Sequence, residues 1–240
     1  MEARSIDGTS LVERPVASAG RGLSRGLLSV NEVQPNRRLQ PTARGDMLSG
    51  AAAEPRTLGG GPIHMHAIRR ARPSDAVALA LMAEETFRDT FAADNSAANM
   101  DLHCSQSYGP DLQLREIVDQ NLVTLVAEQG GELTAFAQVR LHAPQECVGA
   151  ADSSELYRLY VLKRWHGLGV AQNILRQALA TATSAGNSQI WLGVWERNAR
   201  AQAFYRKHGF VVVGDQIYKV GNDPQRDLVM VAELGAHSAA

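Results

Sequence analysis

Residues Glu155 to Thr183, ELYRLYVLKRWHGLGVAQNILRQALATAT, constrain the fold more tightly than any other stretch. Glu155 to Val161 carries apolar or aromatic side chains on both faces, the pattern of a well-buried strand. A short loop, His166-Gly-Leu-Gly-Val-Ala171, follows. After it, Val170, Ala171, Ile174, Leu175, Ala178, Leu179 and Ala182 recur at steps of three and four, which is one face of an amphipathic helix. The stretch therefore reads as strand, glycine loop, helix. A helix that starts on glycines presents unpaired N–H groups and the positive end of its dipole. Gly167 and Gly169 let a ligand approach that backbone closely. The ligand implied is an anion, a pyrophosphate first of all.

Taken alone, a Gly-x-Gly before a helix fits a tight turn as well as it fits a ligand cradle. It is not a Walker loop, because no Gly-Lys-Ser/Thr follows, and the third glycine of a dinucleotide fingerprint is missing. The rest of the chain decides between these readings.

The net charge of −1 gives no argument for a nucleic-acid partner. Two cysteines, Cys104 and Cys147, make no disulfide framework, which points to a reducing, cytoplasmic setting. The longest apolar run, Ala76 to Ala83, is too short to span a bilayer. Residues 1–62 differ from the remainder: they hold 9 of the 21 Gly and 5 of the 9 Pro, and no Phe, Trp or Tyr. Such a segment cannot bury enough surface to offset its ordering entropy, so 1–62 is expected to be a disordered extension of a domain covering 63–240.

Within the domain, Ile63 to Arg70 alternates as a first strand. Pro73-Ser74-Asp75 opens a helix to about Phe91, with Glu84 placed on the stripe of Ala80, Phe87 and Phe91. Ala92 to Pro110 reads as a polar loop and Asp111 to Gln120 as a short helix. Leu122 to Glu128 and Glu132 to His142 form a hairpin around Gly130-Gly131. Gln189 to Trp195 is a strand whose Gly193 implies close backbone packing. Asn198 caps a helix that stops at Gly209. Phe210 to Val213, Gln216 to Val220 and Asp227 to Leu234 are the last strands, with Gly221 to Pro224 as a turn. This is an α/β (α+β) architecture: a mixed central sheet flanked by helices.

Two motifs stand in this order. The first is Leu159-Tyr160-Val161 followed by His166-Gly-Leu-Gly169-Val-Ala171. The second is Asn198-Ala-Arg-Ala201-Gln-Ala-Phe204-Tyr205-Arg-Lys-His-Gly209-Phe210. Over roughly 63–235 the chain resembles the GNAT superfamily of acetyl-CoA-dependent N-acetyltransferases. Glu85 to Phe91, Ile190 to Glu196 and Val220 to Leu228 look most like the bacterial PaiA-type spermidine/spermine acetyltransferases. The resemblance implies a GNAT-type acyltransferase fold, acetyl-CoA as cosubstrate and direct transfer to a primary amine, a polyamine first. Transfer to a peptide or protein amine, or a regulatory acyl-CoA-binding module, are the other readings. A small-molecule amine is the implied partner, with no nucleic acid, membrane or metal, and a homodimer is left open.

The resemblance also implies roles for individual residues. Leu159, Tyr160 and Val161 would offer backbone groups to the pantetheine arm, and Asn198 a side-chain contact. His166, Gly167, Leu168, Gly169, Val170 and Ala171 would hold the pyrophosphate. His166 stands where the family has Arg or Gln, so acetyl-CoA affinity is expected to weaken as pH rises through its titration. Tyr205 is the candidate general acid for the leaving thiolate. Glu155, read as in phase with Tyr157 and Leu159, is the candidate base, against the plainer reading of a solvated strand-end carboxylate. Glu84 is the alternative base, and Glu84, Glu85 and Asp89 together would hold a cationic acceptor, against the plainer reading of an exposed acidic helix face. Trp191 and Trp195 fall on one face of a strand and are expected to be core residues.

Removing residues 1–62 is expected to leave both the thermal unfolding transition and the activity of the remaining chain in place. Loss of either on truncation would show that the extension is part of the working structure.

Overall fold

The computed structural model describes residues 66–235. The expectations for 1–62, and for Ile63 to Met65 as the start of a strand, lie outside the described residues. The elements are β1 (Ala67–Arg70), α1 (Ala76–Phe91), α2 (Ala97–Ser107), α3 (Pro110–Val118), β2 (Leu122–Gln129), β3 (Glu132–Arg140), β4 (Ser153–Val161), α4 (Val170–Ser184), β5 (Gln189–Trp195), α5 (Ala199–Lys207), β6 (Val211–Val220) and β7 (Asp223–Glu233). Short 3-10 turns stand at Pro73–Asp75, Ala92–Asp94 and Lys163–Trp165.

The strands form one mixed sheet of order β1-β2-β3-β4-β5-β7-β6. Every neighbouring pair is antiparallel except β4 and β5, which are parallel. One face of the sheet packs on α4 and α5 through Leu159, Val161, Ile174, Ala178, Leu192, Val194, Phe204 and Tyr205. The other face is covered by α1 and α2, whose Leu79, Phe87, Phe91, Met100 and Cys104 meet Val126, Phe136, Tyr160, Trp195 and Tyr218. The α4 stripe lies as the spacing predicts, with Val170, Ala171, Ile174, Leu175, Ala178 and Ala182 buried.

Four details depart from the sequence reading. First, Ala92 to Pro110 is not a loop throughout, since it contains α2, capped by Ser96, whose hydroxyl accepts the Asn99 N–H. Its buried residues Met100, His103, Cys104 and Ser107 do follow helical spacing, but two of the four are polar, so they carry no apolar signal. Second, Glu84 does not lie on the apolar stripe of α1: it is half-exposed and pairs with Arg88 at 2.8 Å. Third, the β3–β4 register slips by one, with Gln138 opposite Arg158 and Val139 opposite Leu156. Tyr157 is the extra residue of a β-bulge, so Glu155 shares a face with Arg158 and not with Leu159. Fourth, β7 begins at Asp223, inside the predicted turn, and β6 runs unbroken past Gly214 through a register shift between Val212 and Gly214.

Arg158 is buried on the α1–α3 side of the sheet. Its guanidinium donates to Glu116 at 2.8 Å, to Gln138 Oε1 at 2.8 Å and to the Tyr157 hydroxyl at 3.2 Å. Breaking such a pair strands a buried charge and costs about 3–5 kcal/mol. Glu116→Ala is therefore expected to lower the unfolding free energy by about that amount in urea titrations. A change below about 0.5 kcal/mol would mean that water replaces the carboxylate.

Candidate functional site

The parallel pair β4–β5 is joined only at Ser153–Gln189, Ser154–Ile190 and Glu155–Trp191. Beyond these pairs the strands part: Leu156 to Val161 stays on β3, while Leu192 to Trp195 stays on β7. The gap opens at the C-terminal ends of two parallel strands, where ligands settle in open α/β sheets.

Two helix starts border it. After β4 the chain turns through Gly167 and Gly169, both left-handed at φ 78° and 79°. A side chain at either would meet no neighbouring atom within 4 Å, so it is the backbone conformation that requires glycine, and the space outside is open. Gly169 is the N-cap of α4 and supplies no side-chain cap. His166 reaches back from this loop, and its Nε2 lies 2.9 Å from the Val161 carbonyl, so that nitrogen carries the proton and donates. Burial pulls the imidazole below its ordinary pKa. In the free protein His166 is therefore a neutral strut between loop and strand. After β5, Asn198 caps α5 by accepting the Ala201 N–H at 3.0 Å. On α5, Tyr205 is buried beside Phe210 and belongs to the same cluster as Leu159, Val161 and Val194 on the two sides of the gap. Its hydroxyl has no hydrogen-bond partner among the described residues, and burial raises its pKa well above the ordinary phenol value.

On the α1–α3 face, a cavity of 330 Å³ is lined by Ser107, Leu112, Glu116, Arg140, Tyr157 and Arg158, among others. Glu155 is buried beside it, ion-paired to Arg140, at the last closed row of β4 and β5. The structure thus brings Leu159 to Val161, His166 to Ala171, Asn198 and Tyr205 to the gap, and puts Glu155 at its closed end. Glu84, Glu85 and Asp89 lie on the outer side of α1: Glu84 pairs with Arg88, Glu85 lies 3.8 Å from Arg164, and Asp89 is exposed. Trp191 and Trp195 are core residues, as expected, and the Trp191 indole N–H donates to the Ala143 carbonyl at 2.6 Å. Among the described residues, no cluster of His, Cys, Asp or Glu could hold a metal, and no helix is long and apolar enough to cross a membrane.

Asp227 has no place in the sequence-based set of site residues. It lies on β7 between Trp195 of β5 and Gln216 of β6, fully buried, with neither carboxylate oxygen hydrogen-bonded. Burial alone lifts its pKa from 3.8 to about 8. The signal for it was its alternation with Val229 and Val231, which puts a carboxylate in phase with a buried row.

Three comparisons agree with this geometry. Residues 82–210 match the family model described as acetyltransferase (GNAT) family. An uncharacterised N-acetyltransferase of Mycobacterium tuberculosis is 32% identical over 165 residues, covering 67% of this chain and 99% of that protein. Among solved structures, the PaiA N-acetyltransferase of Thermoplasma acidophilum in complex with coenzyme A superposes with TM-score 0.59 at 22% identity, over 70% of this chain and 99% of that one. The ribosomal-protein-S18-alanine N-acetyltransferase of Escherichia coli does so with TM-score 0.54 at 16% identity, over 73% and 99%. Both share the fold.

Asp227 gives the stability a pH dependence of definite sign. Below pH 4 the carboxyl is protonated whether the chain is folded or not. Between pH 4 and 8 the unfolded chain ionises while the folded protein keeps the proton, so stability falls as pH rises, by about 1.4 kcal/mol per unit. Asp227→Asn is expected to remove this loss, so its advantage over the wild type in urea unfolding grows from pH 4 to 8. A difference that does not change with pH would mean that the carboxyl titrates normally.

Proposed function

Because the chain belongs to the acetyltransferase (GNAT) family, we propose that it is an N-acetyltransferase moving an acetyl group from acetyl-CoA to a small primary amine, a polyamine first. The observation that carries the site assignment is the parting of β4 and β5 between a glycine-formed helix start and a buried, partnerless phenol. A gap between strands exposes backbone groups that a polyamide arm can pair with. Bound acetyl-CoA supplies a thioester whose carbonyl carbon a neutral amine attacks, with departure of the CoA thiolate.

The residues divide the remaining work. Leu159, Tyr160 and Val161 offer the open edge of β4 to the pantetheine arm, and Asn198 adds an amide from the other side. Gly167 to Ala171 cradle the pyrophosphate at the start of α4, where the dipole is positive. His166 holds that loop against β4. Tyr205, kept protonated by burial, gives its proton to the departing sulfur. Glu155 accepts the proton of the acceptor amine through water, and its pairing with Arg140 orients the carboxylate. The exposed carboxylates Glu85 and Asp89, with the half-exposed and Arg88-paired Glu84, contribute a long-range field that favours cationic acceptors, without gripping them. We place the reaction in the cytoplasm, in keeping with the unbridged Cys104 and Cys147.

The test is CoA release from acetyl-CoA with spermidine, spermine, putrescine, a lysine peptide and free N-terminal peptides. Saturable turnover on the polyamines is expected. Tyr205→Phe is expected to lower kcat by about 10²-fold or more with acetyl-CoA binding retained. Turnover on peptides alone would keep the reaction and overturn the acceptor. Full activity of Tyr205→Phe would remove the general acid.

A further inference from the structure

The 330 Å³ cavity on the α1–α3 face is given no ligand by the reaction proposed above. Its volume lies in the range of small-molecule pockets, about 300–1,000 Å³. The end of α2, α3, the start of β2 and the strands β3 and β4 supply its walls. Arg115, Asp119 and Asn121 stand exposed at its rim, so it opens to solvent. Leu122, Tyr157 and Arg158 are buried at its floor. Tyr157 and Arg158 lie past Glu155, the last residue of β4 that pairs with β5, so the floor is built on the strand that borders the gap.

Charge at the floor is balanced in pairs, but hydrogen-bonding capacity is not. The acids are engaged. Both Glu116 oxygens accept from Arg158 Nη1, at 3.1 and 2.8 Å, and one also accepts from Gln138 Nε2 at 3.0 Å. Glu155 accepts from Arg140 Nη1, and at the rim Asp119 accepts the Asn121 backbone N–H at 2.8 Å. The donors are in excess. Arg158 is only 2% exposed, yet its Nε–H has no hydrogen-bond partner among the described residues. The other nitrogens of that guanidinium bond Glu116, Gln138 and Tyr157, and two of these three residues line the cavity, which sets the group at the wall. Half-buried Arg140 gives Nη1 to Glu155, which leaves Nε and Nη2 for another acceptor. The two guanidinium groups are close: Arg140 lies 4.0 Å and Arg158 4.4 Å from the centre of the same Tyr157 ring. A buried donor without an acceptor is costly, and guanidinium N–H groups pair most strongly with the oxygens of a carboxylate.

We propose that the cavity binds the carboxylate of a small molecule, whose oxygens accept from Arg158 Nε and from Arg140 while a short apolar body lies against Leu112 and Leu122. Two sources share this chemistry. One is a free carboxylate, which would act on the protein from beside Glu155. The other is the far end of an amino-carboxylate acceptor whose amine reaches the gap, a second acceptor class besides the polyamines. The second source rests on the amine N-acetyltransferase reading; the site itself does not.

The experiment is calorimetric titration of the full-length protein, saturated with CoA, with benzoate, benzamide and benzylamine at about pH 7, where benzoate is ionised and benzylamine cationic. Benzoate is expected to bind at least about tenfold more tightly than the neutral amide or the amine. Arg140→Gln is expected to weaken benzoate by about tenfold, and Arg115→Gln, which alters only the exposed rim, by about threefold, with CoA affinity unchanged in both. Comparing para-aminomethylbenzoate with benzylamine as acceptor separates the sources. Faster CoA release from acetyl-CoA with the former assigns the carboxylate to an acceptor, and benzoate binding with no such gain assigns it to a free ligand. Equal affinity for benzoate and benzamide, no benzoate binding, or benzoate binding that neither variant weakens overturns the site. Benzoate binding with no CoA release on any amine leaves the site standing and overturns the acetyltransfer reading.

Discussion

The parting of β4 from β5 is the constraint on which the rest of the structure depends. An open strand edge inside a sheet is normally a defect, because unpaired N–H and C=O groups away from water are costly. Here each strand is secured on its outer side, β4 along β3 and β5 over its own full length along β7, so the sheet can open in its middle without unravelling. The bulge at Tyr157 falls where pairing with β5 has just ended, and a bulge bends and twists its strand. The only parallel contact among the described strands is thus also the one that opens. Each parallel strand is followed by a helix, so α4 and α5 both begin at the mouth of the gap. A glycine turn, an asparagine cap and a buried phenol converge there because topology delivers them.

The two faces of the gap differ in electrostatics. On the α4–α5 side the surroundings are apolar and Tyr205 is the polar exception, which suits a neutral proton donor. On the α1–α3 side the cavity carries full charges, and its two arginines nearest the gap are matched locally: Arg158 with Glu116, Arg140 with Glu155. Matched pairs leave little net field to attract or repel a charged ligand. Asp227 breaks that pattern: it is buried without a hydrogen-bond partner among the described residues, and burial holds it protonated.

What was legible in the sequence was what is local. Left-handed turns at Gly167 and Gly169, the apolar stripe of α4 and the Asn198 cap each follow from residues within a few positions of one another. The α2 helix was missed because its buried side includes His103 and Ser107, which find their environment only when Phe87 stacks on His103 at 4.2 Å and Tyr218 comes within hydrogen-bonding range. The phase of β4 was misread because a bulge is a property of two strands together: Tyr157 is surplus only against the spacing of β3. The partners of Glu155 and Glu84 are opposite cases. Arg88 is four residues from Glu84 and could be foreseen, whereas Arg140 meets Glu155 through strand register. Asp227 was hardest, since its isolation depends on β5, β6 and the β3–β4 loop at once.

A lone buried carboxyl bears on how the site was assembled. Folding stability alone would favour an amide or an apolar side chain at position 227, because no hydrogen bond among the described residues offsets the desolvation. The neighbouring strand makes room for it: Gly193 forgoes a side chain, and the Gln216 amide and the Asp227 carboxyl fill the space that a Cβ would take, at 2.6 and 3.1 Å. Two adjacent strands each carry a residue that weakens the core, and the two weaknesses face the same space. Independent packing defects would not be expected to align so.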